Sequence, residues 1–441
     1  MKKKFDIKSF LEQYVKPAAG CTEIVAIGIS SCAAYNALFH SLPGSRGIVD
    51  VPYPDMDKVE LLEVVLDKRL YKNAFCVNIP NTYGNNGIDL AASIGIFLNI
   101  NETDVLEIFM QIKPQMIEDA KKILDRATFN IDRGRDALYV KTTLKYDGHT
   151  IICTILDSHD NISSIFVDGI QVFDGSGDDV DNDLNLRISD FSIDELIDIV
   201  SSLPENIQDE LKKTVDLNMS LVVEGMCHFS TQGGIVHILK ELISEGLLSD
   251  DLSTKIKISV AAAVEARMGG VPLSAMSSSG SGNMGITATV PIIIVGQELD
   301  VHEDEVLRAL LLSHLVVRMA SDNIGDLSAL CGASNKSSFG AAAGIAYLLG
   351  AGPEGIKNSI NMVASNLIGA TCDGAKSNCA LKAMSSASVA YESALLGTWG
   401  LMLGAQGIVG DTALQTLKNV SELSHRMDKI DDVIVDILKR R

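Results

Sequence analysis

The spacing of apolar positions changes twice along this chain. Residues 7–15 carry a helical pattern that breaks at Pro17 and Gly20 in "KPAAGCTE". The run "TEIVAIGISSCAAYNALFHS" then predicts a second helix, with Thr22 as N-cap and Glu23 at the positive end of its dipole. Residues 47–80 mix strand-like runs, "GIVDVPY" and "AFCVNIP", with an apolar stretch around Leu61–Leu66 of ambiguous period. "NTYGNNG" reads as a loop, and helical patterns follow to about Asp125. From Ala137 the period becomes two. "ALYVKTTLKY", "TIICTILDS" and "ISSIFVDG" predict three antiparallel strands, joined by an Asp147-Gly148 hairpin turn and by "SHDN". From Ile188 strand signals largely vanish. Helical segments separated by glycine- and serine-rich turns fill the rest, and no fixed-period repeat is visible.

This order predicts an α+β protein. Residues 1–187 form a mixed region with a small antiparallel sheet, and residues 188–441 form an all-helical domain. A length of 441 residues, 46% hydrophobic, is enough for two or more domains and a large core. Aromatics are only 5%, so small residues dominate and favour closely packed helices. The net charge of −20 repels phosphate backbones and anionic membrane surfaces, so neither nucleic acid nor membrane is an expected partner. The start "MKKKFDIKSFLEQYV" has no apolar core of a signal peptide, and no apolar run is long enough to span a bilayer. The expectation is a cytoplasmic protein whose eight cysteines are reduced thiols, metal ligands or catalytic groups. The acidic surface and the helical domain permit a homodimer.

Three segments carry candidate chemistry. In "GCTE", Cys21 sits at a helix start, where unpaired N–H groups and the helix dipole lower a thiol's pKa. Cys21 could then be a nucleophile or general base, or simply a buried small hydrophobe. Cys32, Cys76 and Cys153 read as core residues. Cys227 and His228 are adjacent on a helical pattern and point apart, so they do not read as a ligand pair. In "EARMGGVPLSAMSSSGSGNMGITAT" a helix ends at Gly269-Gly270, and "SSSGSGN", Ser277–Asn283, leads into another helix. Ser277, Ser279, Gly280, Ser281, Gly282 and Asn283 could make a backbone anion nest, with Arg267 nearby, for a carboxylate or phosphate; a flexible linker is the alternative. The segment lacks the G-K-[ST] ending of a P-loop and follows no strand. The third set is Cys331 in "LSALCGAS" with Cys372 and Cys379 in "GATCDGAKSNCALK". The last two are spaced too widely for a zinc knuckle. Three thiols at glycine-bearing turns can hold an iron–sulfur cluster with one iron open, or can be buried or regulatory thiols. The acidic loop from Asp174 to Asp183 lacks EF-hand spacing and reads as solvated.

"GCTEIVAIGISSCAAYNAL", "ARMGGVPLSAMSSSGSGNMGITATVP", "LSALCGA", "GAAAGIAYLLGAG" and "CDGAKSNCALK" together resemble the iron–sulfur L-cysteine desulfidases, relatives of the iron–sulfur L-serine dehydratase α chain. The resemblance runs from about Phe10 to the last helices. It implies a PLP-independent lyase with a 4Fe–4S cluster held by Cys331, Cys372 and Cys379. It also implies Cys21 as catalytic base and a small amino acid as substrate. L-cysteine and water would give pyruvate, ammonia and sulfide. Lys376 and Lys382 flank the cysteines and could offset a cluster's negative charge, or be solvated lysines. His159 and Asn161 of "HDNI" match the family's histidine and asparagine, and Glu23 belongs to the shared "GCTE". Ile24 stands where the family usually has proline, Ser278 and Met284 where it has amide side chains, and the loop around Tyr83 departs most.

Other readings stay open. L-serine or another β-substituted amino acid could be the substrate. A cluster-bearing redox sensor would bind iron without turnover. Lys336 in "SNKSS" superficially suits a PLP Schiff base, but the helical half lacks the alternating strands such an enzyme needs. His228 and His314 could assist the chemistry, though His314 lies on an apolar helical face.

Overall fold

The computed structural model describes residues 5–45, 49–82, 84–135, 137–175, 187–228 and 233–440. The N-terminal part runs α1 (Ile7–Tyr14), β1 (Pro17–Ala19), α2 (Thr22–Ala37), β2 (Val59–Asp67), α3 (Lys68–Ala74), α4 (Ile88–Gly95) and α5 (Pro114–Lys121). It continues with β3 (Ala127–Asp132), β4 (Tyr139–Tyr146), β5 (His149–Leu156), β6 (Ile162–Val167) and β7 (Ile170–Asp174). The C-terminal part carries α6 (Ile193–Ser201), α7 (Glu205–His228), α8 (Ile235–Ser244), α9 (Leu252–Met268), β8 (Ser274–Met276) and α10 (Gly282–Glu298). It ends with α11 (Glu303–Ile324), α12 (Asn335–Leu348), α13 (Pro353–Leu367), α14 (Cys379–Thr398), α15 (Ala413–Arg426) and α16 (Lys429–Leu438). The α+β class holds. No helix among the described residues is long and apolar enough to cross a membrane.

The sheet has six strands in the order β3-β2-β4-β5-β6-β7. β4, β5 and β6 are the three strands that the period of two predicts, with Tyr146 opposite His149 at the Asp147-Gly148 turn. Ile151, Cys153 and Ile155 alternate inward and are fully buried. The sheet packs against α2, whose residues from Thr22 to Ala37 are nearly all buried. That all-round burial explains why α2 is apolar on every face.

Several expectations need correction. The ambiguous stretch at Leu61–Leu66 is the central strand β2, whereas "GIVDVPY" and "AFCVNIP" form no strand among the described residues. Asn78 makes only an isolated bridge to Asn86. Cys76 is exposed, not core. β3 pairs in parallel with β2 at the sheet edge and is mostly exposed, so it carries no alternating signal. β8 is a strand inside the helical half, and it pairs antiparallel with β1. Three residues are too few for a periodic signature, yet this ladder joins the two parts of the chain. Tyr83 and most of the acidic loop after Asp174 lie outside the described residues.

Candidate functional site

The β1–β8 ladder places two helix starts side by side. Pro17 lies opposite Met276 and Ala19 opposite Ser274. β1 runs into Gly20, Cys21 and α2, while β8 leads through the Ser277–Ser281 turn into α10. Gly20 has φ +68°, and a Cβ there would overlap the Pro80 ring, so only glycine fits this turn. The N-cap of α2 is Cys21, one residue earlier than the sequence suggests, and Thr22 is the first helical residue. The Thr22 hydroxyl donates to the Gly280 carbonyl at 3.1 Å and ties the two turns together.

Cys21 is buried, and its Sγ–H donates to Glu23 Oε2 at 2.8 Å. Burial, followed by the Glu23 carboxylate, pushes the thiol well above its ordinary range; Arg267 and the Glu23 N–H pull the other way and are outweighed. This corrects the expectation of a helix-activated thiolate. The helix start does favour the anion, but desolvation and the adjacent carboxylate dominate, so Cys21 rests as a thiol. Burial alone would raise the Glu23 carboxyl. The His159 charge and hydrogen bonds from Cys21, its own N–H and Asn73 reverse that, and its pKa lies below the usual value. Glu23 is thus held as a half-buried carboxylate that accepts the Cys21 hydrogen bond.

Asn73, at the end of α3, extends this run. Its Nδ2 donates to Glu23 Oε1 at 2.7 Å, and its Oδ1 accepts from Cys372 Sγ at 3.3 Å. The sequence gives no sign of this role, because a lone asparagine in "YKNAFC" matches no motif.

Cys331 and Cys372 flank a short antiparallel bridge. The Cys331 N–H donates to the Ala370 carbonyl at 2.9 Å, and the Cys372 N–H donates to the Ala329 carbonyl at 2.8 Å. Cys379 is the first residue of α14, and its Sγ faces the Gly374 carbonyl at 3.8 Å. Burial, then Cys372 and Cys379, push the Cys331 thiol up to about 12. Burial also raises Cys379, with Cys372 adding to it. Cys372 and Cys379 thus lie close enough to Cys331 to act on it. Lys382 donates to the Thr371 carbonyl at 2.7 Å and pairs with Asp373, and Lys376 pairs with Asp373 at 2.5 Å. Buried Lys336 donates to the carbonyls of Gly325 and Asp326, both at 2.8 Å, and burial lowers its pKa to about 8. Among the described residues, no three Cys, His, Asp or Glu side chains close round a point that one metal ion would fill. A multi-iron cluster is larger than an ion, so its ligands stand further apart. Three soft thiols with cationic lysines beside them fit such a group.

The Ser277–Asn283 turn departs from the expected nest. The N–H groups of Ser277, Ser278, Ser279 and Ser281 are all spent inside the protein, on Lys16, Ser281, Tyr14 and Ser278 carbonyls. What remains for an anion is the Gly280 N–H and the first turn of α10, at Gly282 and Asn283. Buried Arg267 donates Nη1 to Asn283 Oδ1 at 2.9 Å and Nη2 to the Gly20 carbonyl. A Cβ on Gly282 would lie 2.5 Å from Arg267 Nε, so glycine lets the guanidinium approach the helix start. Arg267 Nε, Ser279 Oγ and His159 Nε2 are buried and have no partner among the described residues. Orphaned buried donors of this kind call for a polar ligand. His159 sits beside Gly280, and its turn is held by Asp160, which pairs with Lys16 at 3.0 Å. Asn161 is exposed, and its Nδ2 donates to the Leu156 carbonyl at 3.1 Å, so it shapes the turn outside this cluster. His314 is fully buried and meets Ser278 Oγ at 3.0 Å. Cys227 and His228 are exposed, and His228 pairs with Glu224 at 2.8 Å. A groove of about 520 Å³ lined by Met226, Lys255, Ile258 and Glu298 shares no residue with this site.

A family model described as "serine dehydratase alpha chain" matches residues 100–436. The chain belongs to the serine dehydratase alpha-chain family. It is 34% identical to a UPF0597 protein of Desulfotalea psychrophila, over 99% of both chains. It is 32% identical to a UPF0597 protein of Kosmotoga olearia, over 98% of this chain and 99% of the relative. A UPF0597 protein of Shewanella halifaxensis is 34% identical over 96% of each.

Proposed function

We propose that this protein is an iron–sulfur lyase that eliminates the β substituent of a small L-amino acid, with L-cysteine as substrate and pyruvate, ammonia and sulfide as products. The observation that carries the reading is that Asn73, bonded to Glu23 and to the Cys372 thiol of the metal-free chain, places the Cys21–Glu23 pair beside the cysteines. Cys331, Cys372 and Cys379 would hold a 4Fe–4S cluster, which supplies an open Lewis-acid iron for the leaving group. Arg267 Nε and the first turn of α10 bind the substrate carboxylate. Cys21 passes its proton to Glu23 and, as thiolate, takes the α proton. Glu23 stays ionised at rest because His159, Cys21 and Asn73 hold it so. Cys21 and Arg267 are buried and Glu23 is half-buried, which limits water at the transfer. The released enamine tautomerises and hydrolyses to pyruvate and ammonia.

L-serine is the second reading, because the matched family is described as a serine dehydratase chain. The same residues would expel water instead of sulfide. Anaerobic reconstitution followed by assay of pyruvate, ammonia and sulfide from both amino acids separates the two. Cys21→Ser should keep the bound iron and lose most turnover, about 10²-fold or more. Full turnover in Cys21→Ser would remove it from the base role.

A further inference from the structure

One buried charged group has no part in that chemistry. Asp431 on α16 is fully buried, and α16 carries none of the site side chains. Its Oδ1 accepts from Lys72 Nζ at 2.5 Å and its Oδ2 from Arg69 Nε at 2.9 Å. Both donors lie on α3. Arg69 also meets Asp428 at 2.7 Å, and Lys68 meets Asp432 at 3.5 Å. One acidic helix therefore grips three cations on one seven-residue helix.

That short helix touches the site at three points. Asn73 holds Glu23 and Cys372. The Lys72 carbonyl lies where a Cβ on Gly374 would fall, 2.5 Å away, so the Cys372–Cys379 turn rests on α3. Arg69 Nη1 donates to the Leu327 carbonyl at 3.5 Å, on the segment leading to Cys331. A helix this short has little stability of its own, so its position is set by what holds it. Three cations on it would repel one another without the facing carboxylates.

We propose that α16 is a clasp for the site: Asp431, through Lys72 and Arg69, is a positioning residue that fixes α3 so that Asn73 keeps Glu23 and Cys372 in register. Its consequence for turnover rests on the lyase reading, whereas its effect on Cys372 rests on geometry alone. The test reads alkylation of Cys372 by iodoacetamide in the reduced, metal-free full chain, with peptide mass spectrometry and circular dichroism in parallel. Asn73→Ala should speed Cys372 alkylation by about tenfold, as loss of one buried hydrogen-bonded link allows. Asp431→Asn should do the same, and the double variant should be no faster than Asn73→Ala alone. Lys72→Met leaves Asp431 compensated by Arg69 and should reproduce the effect should Asp431→Asn fail to fold. An unchanged Cys372 rate in a folded Asp431→Asn or Lys72→Met chain, or additive rates in the double variant, would overturn the proposal. In the reconstituted protein, Asp431→Asn should lower kcat and leave KM nearly unchanged. Absence of lyase turnover in the wild type would overturn the functional reading and leave the alkylation result to decide this one.

Discussion

Replacing Glu23 with Gln removes one charge and little else. The amide keeps the shape of the carboxylate, and its oxygen can still accept from Asn73 Nδ2. What disappears is a full negative charge 2.8 Å from Cys21 Sγ. At an effective dielectric of about 20, that interaction is on the order of 6 kcal/mol. Even a quarter of it corresponds to about a tenfold change in an equilibrium. Arg267, which favours the Cys21 anion, is then opposed by burial but no longer by a carboxylate. The thiolate should therefore form more readily in Glu23→Gln, and the metal-free variant should alkylate at Cys21 at least about tenfold faster than wild type at the same pH. Turnover should move the opposite way, falling by about 10²-fold or more, because the proton acceptor is gone. The assay is iodoacetamide labelling across a pH series, read at the Cys21 peptide, beside steady-state rates on the reconstituted protein. Slower or unchanged labelling would refute the argument that Glu23 holds Cys21 protonated.

Three further outcomes follow from individual contacts. Gly374→Ala puts a methyl 2.5 Å from the Lys72 carbonyl at φ +97°, so the cysteine turn must shift, and iron bound after anaerobic reconstitution should fall to less than about half. Arg267→Met should raise KM for an amino-acid substrate by about tenfold to a hundredfold through loss of a charge-assisted carboxylate contact, as steady-state kinetics would show. Cys153, pushed up from 9.0 to about 12 by burial, sets a pH dependence in the metal-free chain, and buried Cys32 acts in the same direction. The unfolded chain loses these thiol protons first, so it binds fewer protons than the folded chain above pH 9.0; urea midpoints should be steady below that pH and fall toward pH 12.

The parts of this molecule that the sequence makes legible are those with a long period or a local turn. β4, β5 and β6 announce themselves by alternation, and the Asp147-Gly148 hairpin by its turn residues. Cys21, Arg267 and the three cysteines stand out because each lies at a glycine-broken helix boundary. What stays hidden is long-range pairing. The β1–β8 ladder is three residues long on each side and joins positions more than 250 apart, so no window contains it. Asn73 is invisible for the same reason: its two partners come from α2 and from the turn before α14. The protonation state of Cys21 is also hidden. Helix position alone favours the thiolate, and only the folded chain shows burial and Glu23 overriding it. The serine turn misleads in a similar way. Its N–H groups look free in sequence, but Lys16, Tyr14 and the turn itself consume those of all four serines.

The central claim is that Cys21 and Glu23 serve an elimination reaction beside a cluster on Cys331, Cys372 and Cys379. The most direct measurement is anaerobic reconstitution of wild type, Cys21→Ser and Cys372→Ser, with iron and acid-labile sulfide counted in each. Pyruvate, ammonia and sulfide released from L-cysteine are then measured on the same samples. Iron and turnover are expected in wild type, iron without turnover in Cys21→Ser, and neither in Cys372→Ser. Turnover in metal-free wild type, or full iron and turnover in Cys372→Ser, would contradict that claim.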